Sequence, residues 1–80
     1  MDRETIRQGL GEVFQTVFGR EVELTDATTP AEVEGWDSLA HVTLMLAIEK
    51  RFEVKFTGNE IANAGGVGPL LDLLTEKTGG

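Results

Sequence analysis

Residues 35–52 read Gly-Trp-Asp-Ser-Leu-Ala-His-Val-Thr-Leu-Met-Leu-Ala-Ile-Glu-Lys-Arg-Phe, and this stretch predicts a helix that begins directly after a turn. Asp37 or Ser38 supplies the N-terminal cap, because short polar side chains satisfy the free N–H groups of a first helical turn. The apolar residues continue at helical spacing to about Phe52. The stretch therefore predicts the central helix of an all-α protein.

The apolar residues of this helix occupy two sides. At about 100° per residue, Leu44 and Ile48 lie together, whereas Leu39, Val42 and Leu46 lie together on roughly the opposite side. Only one side can face the core of a small domain. We therefore expect the second stripe to face a partner.

The first helix is predicted from Asp2 to Phe18, with Asp2 at its start and Gly19 in the left-handed conformation at its end. Its apolar stripe consists of Ile6, Leu10, Val13, Phe14, Val17 and Phe18. Residues 20–36 show turn chemistry and no sustained period. We expect this long loop to be held against the core by Val22, Leu24 and Val33.

The second half of the chain is read as two further helices. Residues 53–57 alternate like a strand, but no second strand is available to pair with them. Residues 59–64 predict a short helix, and a glycine-rich connector leads to a last helix with Pro69 in its first turn. The predicted fold is a single all-α domain, residues 1–80: a four-helix bundle with three longer helices, a short mobile third helix, and a long loop between helices one and two.

Composition narrows the class of function. The 80 residues carry a formal net charge of −7 and no cysteine, which argues against nucleic-acid binding, disulfides and thiolate metal sites. Partners with basic patches are expected, although an acidic surface also serves solubility alone. No leader or membrane span is read from the sequence, so we expect a cytoplasmic monomer.

The chemistry is expected at Gly35-Trp36-Asp37-Ser38-Leu39. A phosphodiester on the Ser38 hydroxyl would be stabilised by about 0.3–1 kcal/mol at the positive end of the helix. Gly35 allows a close approach of an enzyme to this hydroxyl. Asp37 is suited to a basic residue of that enzyme, or to ordering its metal ion.

At these residues the chain resembles the acyl carrier protein family, in which Asp-Ser-Leu at the start of the second helix bears 4'-phosphopantetheine on the serine. The likeness spans nearly the whole chain. It includes the apolar stripe of the first helix, Thr28 and Val33 of the loop, and a set of residues in the second half: Leu44, Met45, Ala47, Ile48, Glu49, Phe52, Phe56, Val67, Leu70, Leu71 and Leu74. It implies that a phosphopantetheinyl transferase moves the cofactor from coenzyme A to Ser38. The chain would then carry acyl groups as thioesters and would not itself be an enzyme.

The resemblance also implies a docking surface on the second helix. Acyl- or aminoacyl-loading enzymes and synthase or transferase enzymes with basic patches would dock there. The residues expected to bind partners are Leu39, Val42, Leu46, Glu49 and Trp36. Trp36 has a second interpretation, as an anchor of the long loop in the bundle.

Three residues depart from the commonest pattern of fatty acid synthesis. Ala40 and His41 follow Leu39, where an acidic residue is frequent, and Thr43 also stands where an acid is usual. These differences favour dedicated enzymes of a specialised lipid, fatty acid or polyketide pathway. An aminoacyl (peptidyl) carrier, and an unmodified helical interaction module, are the alternatives.

Two further readings are set aside. A Ser38–His41 catalytic dyad would need an orienting carboxylate and an oxyanion hole, so His41 is expected to be solvated and to tune docking. The terminal Gly79-Gly80 suggests the sulfur carriers and ubiquitin-like proteins, which are β-grasp folds. The helical periods at both ends of the chain oppose that fold.

Overall fold

The computed structural model describes residues 2–79, and these form the predicted helical bundle. Four α-helices are present: α1 (Arg3–Phe18), α2 (Ser38–Phe52), α3 (Gly58–Asn63) and α4 (Val67–Lys77). A short 3-10 helix, Pro30–Glu32, lies within the long loop and was not predicted. No strand occurs among the described residues, which excludes the β-grasp reading for them. Of the Gly79-Gly80 pair, Gly80 lies outside the described residues.

The boundaries of α1 are set by its two flanking residues. Asp2 Oδ1 accepts the N–H of Thr5 at 2.7 Å, and this bond lowers the pKa of the Asp2 carboxyl below its ordinary value. Gly19 ends the helix with φ of 73°, and its N–H donates to the carbonyl of Gln15 at 2.9 Å. Both caps confirm the prediction.

The core lies where α1 packs against α2 and α4. Side chains with no exposed surface come from all three of these helices: Ile6, Leu10, Phe14, Leu44, Met45, Ile48, Val67, Leu70, Leu71 and Leu74. The apolar periods predicted for these helices are therefore their packing faces. Along residues 2–79, no helix is both long and apolar enough to cross a membrane.

The long loop is fixed to the bundle by its own side chains, as predicted. Leu24 and Val33 are buried, and Thr28 is buried with a hydroxyl that accepts the N–H of Thr25 at 2.9 Å. The Thr28 carbonyl accepts the N–H of Val67, at the start of α4. The buried part of the loop at Thr28 thus has a backbone partner in the bundle, as a buried polar group requires.

The connector before α4 approaches the long loop very closely. A Cβ on Gly68 would lie 2.6 Å from the carbonyl oxygen of Asp26, and one on Gly66 would lie 3.3 Å from that of Thr28. These two glycines are therefore required by the close packing of the connector against the long loop. A Cβ on Gly65 would meet no atom within 4 Å.

The third helix is short and depends on contacts at its ends. Thr57 accepts the N–H of Glu60 at 3.1 Å, and Glu60 accepts the N–H of Thr57 at 2.8 Å, which forms a capping box. Lys77 of α4 lies 3.0 Å from the Glu60 carboxylate. The Thr57 N–H, followed by Lys77, lowers the pKa of Glu60 below its ordinary value.

Candidate functional site

Ser38 is the first residue of α2, and its side chain is exposed. Within residues 2–79 the Ser38 hydroxyl makes no hydrogen bond. A helix leaves its first N–H groups without backbone partners, so the hydroxyl stands where a negative group would be favoured. This geometry permits a phosphodiester at Ser38.

Asp37 caps α2, which decides between the two predicted caps. Its Oδ1 atom accepts the N–H of Ala40 at 2.9 Å, and its carbonyl accepts the N–H of His41 at 2.8 Å. The carboxylate itself is exposed beside Ser38. Asp37 therefore fixes the start of the helix and also places a negative charge next to the serine.

A tight turn delivers the chain to this cap. Gly35 has φ of 91°, a conformation that residues with a Cβ rarely adopt. The backbone N–H of Trp36 donates to the carbonyl of Val33 at 3.1 Å, and the backbone N–H of Asp37 donates to the carbonyl of Gly35 at 3.0 Å. Gly35 is thus needed for the turn itself, in addition to any approach by an enzyme.

Trp36 lies in the core, and its prediction as a partner-binding residue is corrected. Its side chain is only 5% exposed. The indole packs edge-on against Phe14, with ring centroids 5.2 Å apart, and against Phe18 at 6.5 Å. The second interpretation, an anchor that holds the loop against the bundle, describes its position.

His41 is also different from the expected solvated residue. Its Nδ1 atom lies 3.0 Å from Trp36 Nε1, and its Nε2 atom lies 2.8 Å from the carbonyl oxygen of Ile61. The indole N–H can only donate and the carbonyl can only accept, so the imidazole accepts at Nδ1 and donates at Nε2. His41 is therefore half-buried and joins the loop, α2 and α3.

The sequence does carry a signal for the Trp36–His41 pair. With Asp37 as the N-cap, Trp36 is the residue before the cap and His41 is the fourth residue of the helix. These are the two positions that pack together in a hydrophobic staple. Here the indole and imidazole rings are nearly parallel, with an interplanar angle of 22°, and they also share a hydrogen bond.

A surface groove of about 350 Å³ lies beside Ser38. Its lining comes from the loop, α2, α3 and the connector: Pro30, Trp36, Asp37, Ser38, His41, Ala62 and Gly65. Another groove of similar size, 340 Å³, lies between α1 and α2 around Glu12, Ala47 and Arg51. Size alone does not distinguish the two. The second groove also contains an exposed hydroxyl, that of Thr16, but this one donates to the Glu12 carbonyl at 3.1 Å, whereas the Ser38 hydroxyl of the first groove makes no hydrogen bond within residues 2–79.

The second apolar stripe of α2 is exposed. Leu39 is 79% exposed, Val42 48% and Leu46 57%, while Leu44 and Ile48 on the opposite side are fully buried. The surface stripe and the core stripe of α2 are therefore the two sides predicted from helical geometry.

Glu49 continues the exposed stripe at its edge and is half-buried. Its Oε2 atom accepts the N–H of Phe56 at 2.7 Å. The carboxylate therefore also holds the segment between α2 and α3.

Comparison with known proteins agrees with this geometry. The family model described as "Phosphopantetheine attachment site" matches residues 8–74 of the chain. A solution NMR structure of a holo acyl carrier protein from Geobacter metallireducens is 32% identical, with a TM-score of 0.83 over 90% of this chain and 84% of that chain. Comparison with curated proteins gives no significant match. The chain belongs to the phosphopantetheine-binding acyl carrier protein family.

The cofactor of this family is 4'-phosphopantetheine, and the residues around Ser38 are compatible with it. The hydroxyl is exposed at a helix N-terminus, and the groove beside it leaves room for an extended arm. Once bound, the cofactor supplies a terminal thiol that holds an acyl group as a thioester.

Proposed function

We propose that Ser38 is the residue that bears 4'-phosphopantetheine and that the chain carries acyl groups between enzymes. The observation that supports this most is the exposed hydroxyl at the first residue of α2, within the Asp-Ser-Leu sequence. The family match spans this position. The role of the protein in this proposal is carriage, with the chemistry performed by its partners.

Partner enzymes are proposed to dock on a surface of α2 that we define as the exposed stripe Leu39, Val42 and Leu46 together with the half-buried Glu49 at its edge. Successive members are three or four residues apart, so they lie along one face of the helix. Exposed apolar residues in such a row are typical of interaction surfaces. The net charge of −7 favours partners with basic patches around an apolar centre.

The pathway is proposed to be a specialised lipid, fatty acid or polyketide pathway with dedicated enzymes. The first two turns of α2 support this, because Ala40 and Thr43 stand where the commonest fatty acid carriers have acids. The exposed face next to Ser38 therefore offers apolar contacts and few charges. We also propose a cytoplasmic location, with which the absence of cysteine from the sequence is compatible.

Intact mass measurement tests the attachment site. The full chain is incubated with coenzyme A and a promiscuous phosphopantetheinyl transferase, with Ser38→Ala as the paired variant. The expected result is a gain of one phosphopantetheine unit by the wild type and no gain by Ser38→Ala. A wild type that gains nothing, while an established carrier in the same mixture is loaded, would favour the unmodified interaction module.

The pathway proposal has its own test. A malonyl-transferring enzyme of general fatty acid synthesis is expected to use the holo protein poorly. Ala40→Asp and Thr43→Glu should raise kcat/KM with that enzyme, because they restore the acids that the resemblance associates with it. Efficient use of the unaltered protein would contradict the assignment to dedicated enzymes.

A further inference from the structure

Among residues 2–79, His41 is the one side chain that makes hydrogen bonds to both walls of the groove beside Ser38. It lies one helical turn after the serine, on a neighbouring part of the α2 surface. Its Nδ1 accepts from Trp36 on the loop side, and its Nε2 donates to Ile61 on the α3 side. The imidazole thus connects the three segments that surround the serine.

The loop wall depends on this contact. Trp36 is buried against Phe14 and Phe18, and its indole N–H has His41 as its hydrogen-bond partner. A buried donor without a partner is costly, so the imidazole allows the indole to remain in the core. Trp36 is two residues before Ser38, and its position therefore sets where the turn delivers the serine.

The α3 wall of the groove also depends on the His41 imidazole. A helix of six residues is too short to be stable by itself, and the last four carbonyls of any helix lack partners within it. The Ile61 carbonyl is one of these: it accepts the N–H of Ala64, just beyond the helix, at 3.4 Å, and His41 Nε2 lies closer to it, at 2.8 Å. The other end of α3 is held by Thr57 and by Lys77. His41 accordingly fixes the end that borders the groove.

We propose that His41 is a positioning residue for the reaction at Ser38: one hydrogen bond from each ring nitrogen holds the loop and α3 at fixed places on either side of the serine. This rests on the proposed function of Ser38. A transferase would then meet a preformed site. Loss of the two bonds would lower the fraction of carrier molecules in the competent arrangement and raise the apparent KM accordingly.

Three variants separate the two hydrogen bonds. His41→Phe keeps a ring and removes both bonds. His41→Asn places an amide oxygen where Nδ1 accepts from Trp36, and His41→Gln places an amide nitrogen where Nε2 donates to Ile61. Gln15→Ala, at an exposed position on α1, is the matched control.

Structure is measured by two local probes in the full chain. Trp36 is the only tryptophan, so its fluorescence reports on the loop, and amide hydrogen exchange of residues 58–63 reports on α3. His41→Phe is expected to change both, with exchange in α3 about fivefold faster or more, since a net hydrogen bond corresponds to a factor of about 2 to 10. His41→Asn should restore only the wild-type fluorescence emission of Trp36. His41→Gln should restore only the slow amide exchange of α3.

Function is measured as the kinetics of phosphopantetheine transfer from coenzyme A. His41→Phe should raise KM for the carrier about threefold or more and leave kcat within about twofold of the wild-type value. In His41→Asn and His41→Gln, KM should return part of the way to the wild-type value. Gln15→Ala should match the wild type.

The outcomes distinguish the two proposals. A wild type that is not loaded refutes the function of Ser38, and the positioning role with it. A wild type that is loaded, with a folded His41→Phe that keeps the wild-type KM and α3 exchange, refutes the positioning role alone. If His41→Phe does not fold, the His41→Asn and His41→Gln variants decide the question. If these two variants behave identically to each other in Trp36 fluorescence, α3 hydrogen exchange and transfer kinetics, His41 acts by packing only.

Discussion

The N–H of Val67 donates to the carbonyl of Thr28 at 2.9 Å, and this bond joins the start of α4 to the middle of the long loop. Gly68 follows immediately, and its Cα approaches the Asp26 carbonyl so closely that a Cβ would lie 2.6 Å away. The obstructing atom belongs to the backbone, so it cannot rotate aside. This contact fixes the loop that leads to Ser38.

Gly68→Ala is expected to destabilise the protein by about 1–3 kcal/mol, because α4 and the loop must separate to admit the methyl group. Gly11→Ala is the matched control: no atom lies within 4 Å of its added Cβ, and alanine favours a helix interior. That variant should be stabilised by up to about 1 kcal/mol. Urea unfolding of both variants measures the difference, and equal stabilities would contradict the close approach.

Leu46→Glu is expected to leave helical circular dichroism and the unfolding midpoint nearly unchanged, since Leu46 is 57% exposed. Phosphopantetheine transfer should slow about tenfold or more in kcat/KM, because a charge replaces an apolar contact of the proposed docking surface. Gln15→Glu adds the same charge on α1 and should have no such effect. A loss of helicity in Leu46→Glu would instead assign Leu46 to the core.

Asp37 is expected to have two separable roles. Asp37→Asn retains an oxygen for the Ala40 N–H, so its stability should stay close to that of the wild type, whereas Asp37→Ala should lose about 1 kcal/mol. If the Asp37 carboxylate also binds the transferase through its charge, Asp37→Asn should still lower kcat/KM for phosphopantetheine transfer. Thermal unfolding and transfer kinetics are measured together. Wild-type kinetics in Asp37→Asn would restrict the residue to capping.

Acid is expected to weaken α3 through Glu60. The Thr57 N–H and Lys77 lower the pKa of this carboxyl in the folded chain, so the ionised form stabilises the fold at pH values above the ordinary glutamate range. That contribution is lost as the pH falls through the folded-state pKa. Hydrogen exchange of residues 58–63 as a function of pH measures it.

Glu60→Gln removes this ionisation, so its α3 exchange should lack the acid-dependent step, and the gap to the wild type should close at low pH. Glu23→Gln, an exposed change in the loop, is the control that should retain the step. The same acid response in Glu60→Gln and the wild type would assign the effect to other carboxylates.

Most of the fold followed from local patterns in the sequence. Both limits of α1 and the start of α2 were predictable because Asp2, Gly19 and Asp37 are residues with strong positional preferences at helix ends. The exposed and buried sides of α2 were predictable because helical geometry alone fixes the angle between Leu46 and Leu44.

The contacts of Trp36 and His41 were not predicted, because they depend on where the loop and α3 lie relative to α2. An aromatic residue beside a serine is equally compatible with an exposed or a buried ring until the packing of Phe14 is known. The partner of His41 Nε2 is a backbone carbonyl twenty residues away, which no local pattern identifies. The family likeness predicted Ser38 as the site but carried no information about these supporting contacts.

The exposed stripe and Ser38 belong to one uninterrupted helix, and this makes α2 a rigid spacer. From Ser38 to Glu49 the axial distance is about 16 Å at 1.5 Å per residue, and neither end can turn independently of the other. Under the proposed function, an enzyme that binds the exposed stripe therefore also fixes the position of Ser38, the point from which the prosthetic arm would leave the carrier. One residue inserted between Leu39 and Val42 would rotate Ser38 about the helix axis by about 100° relative to Val42, Leu46 and Glu49.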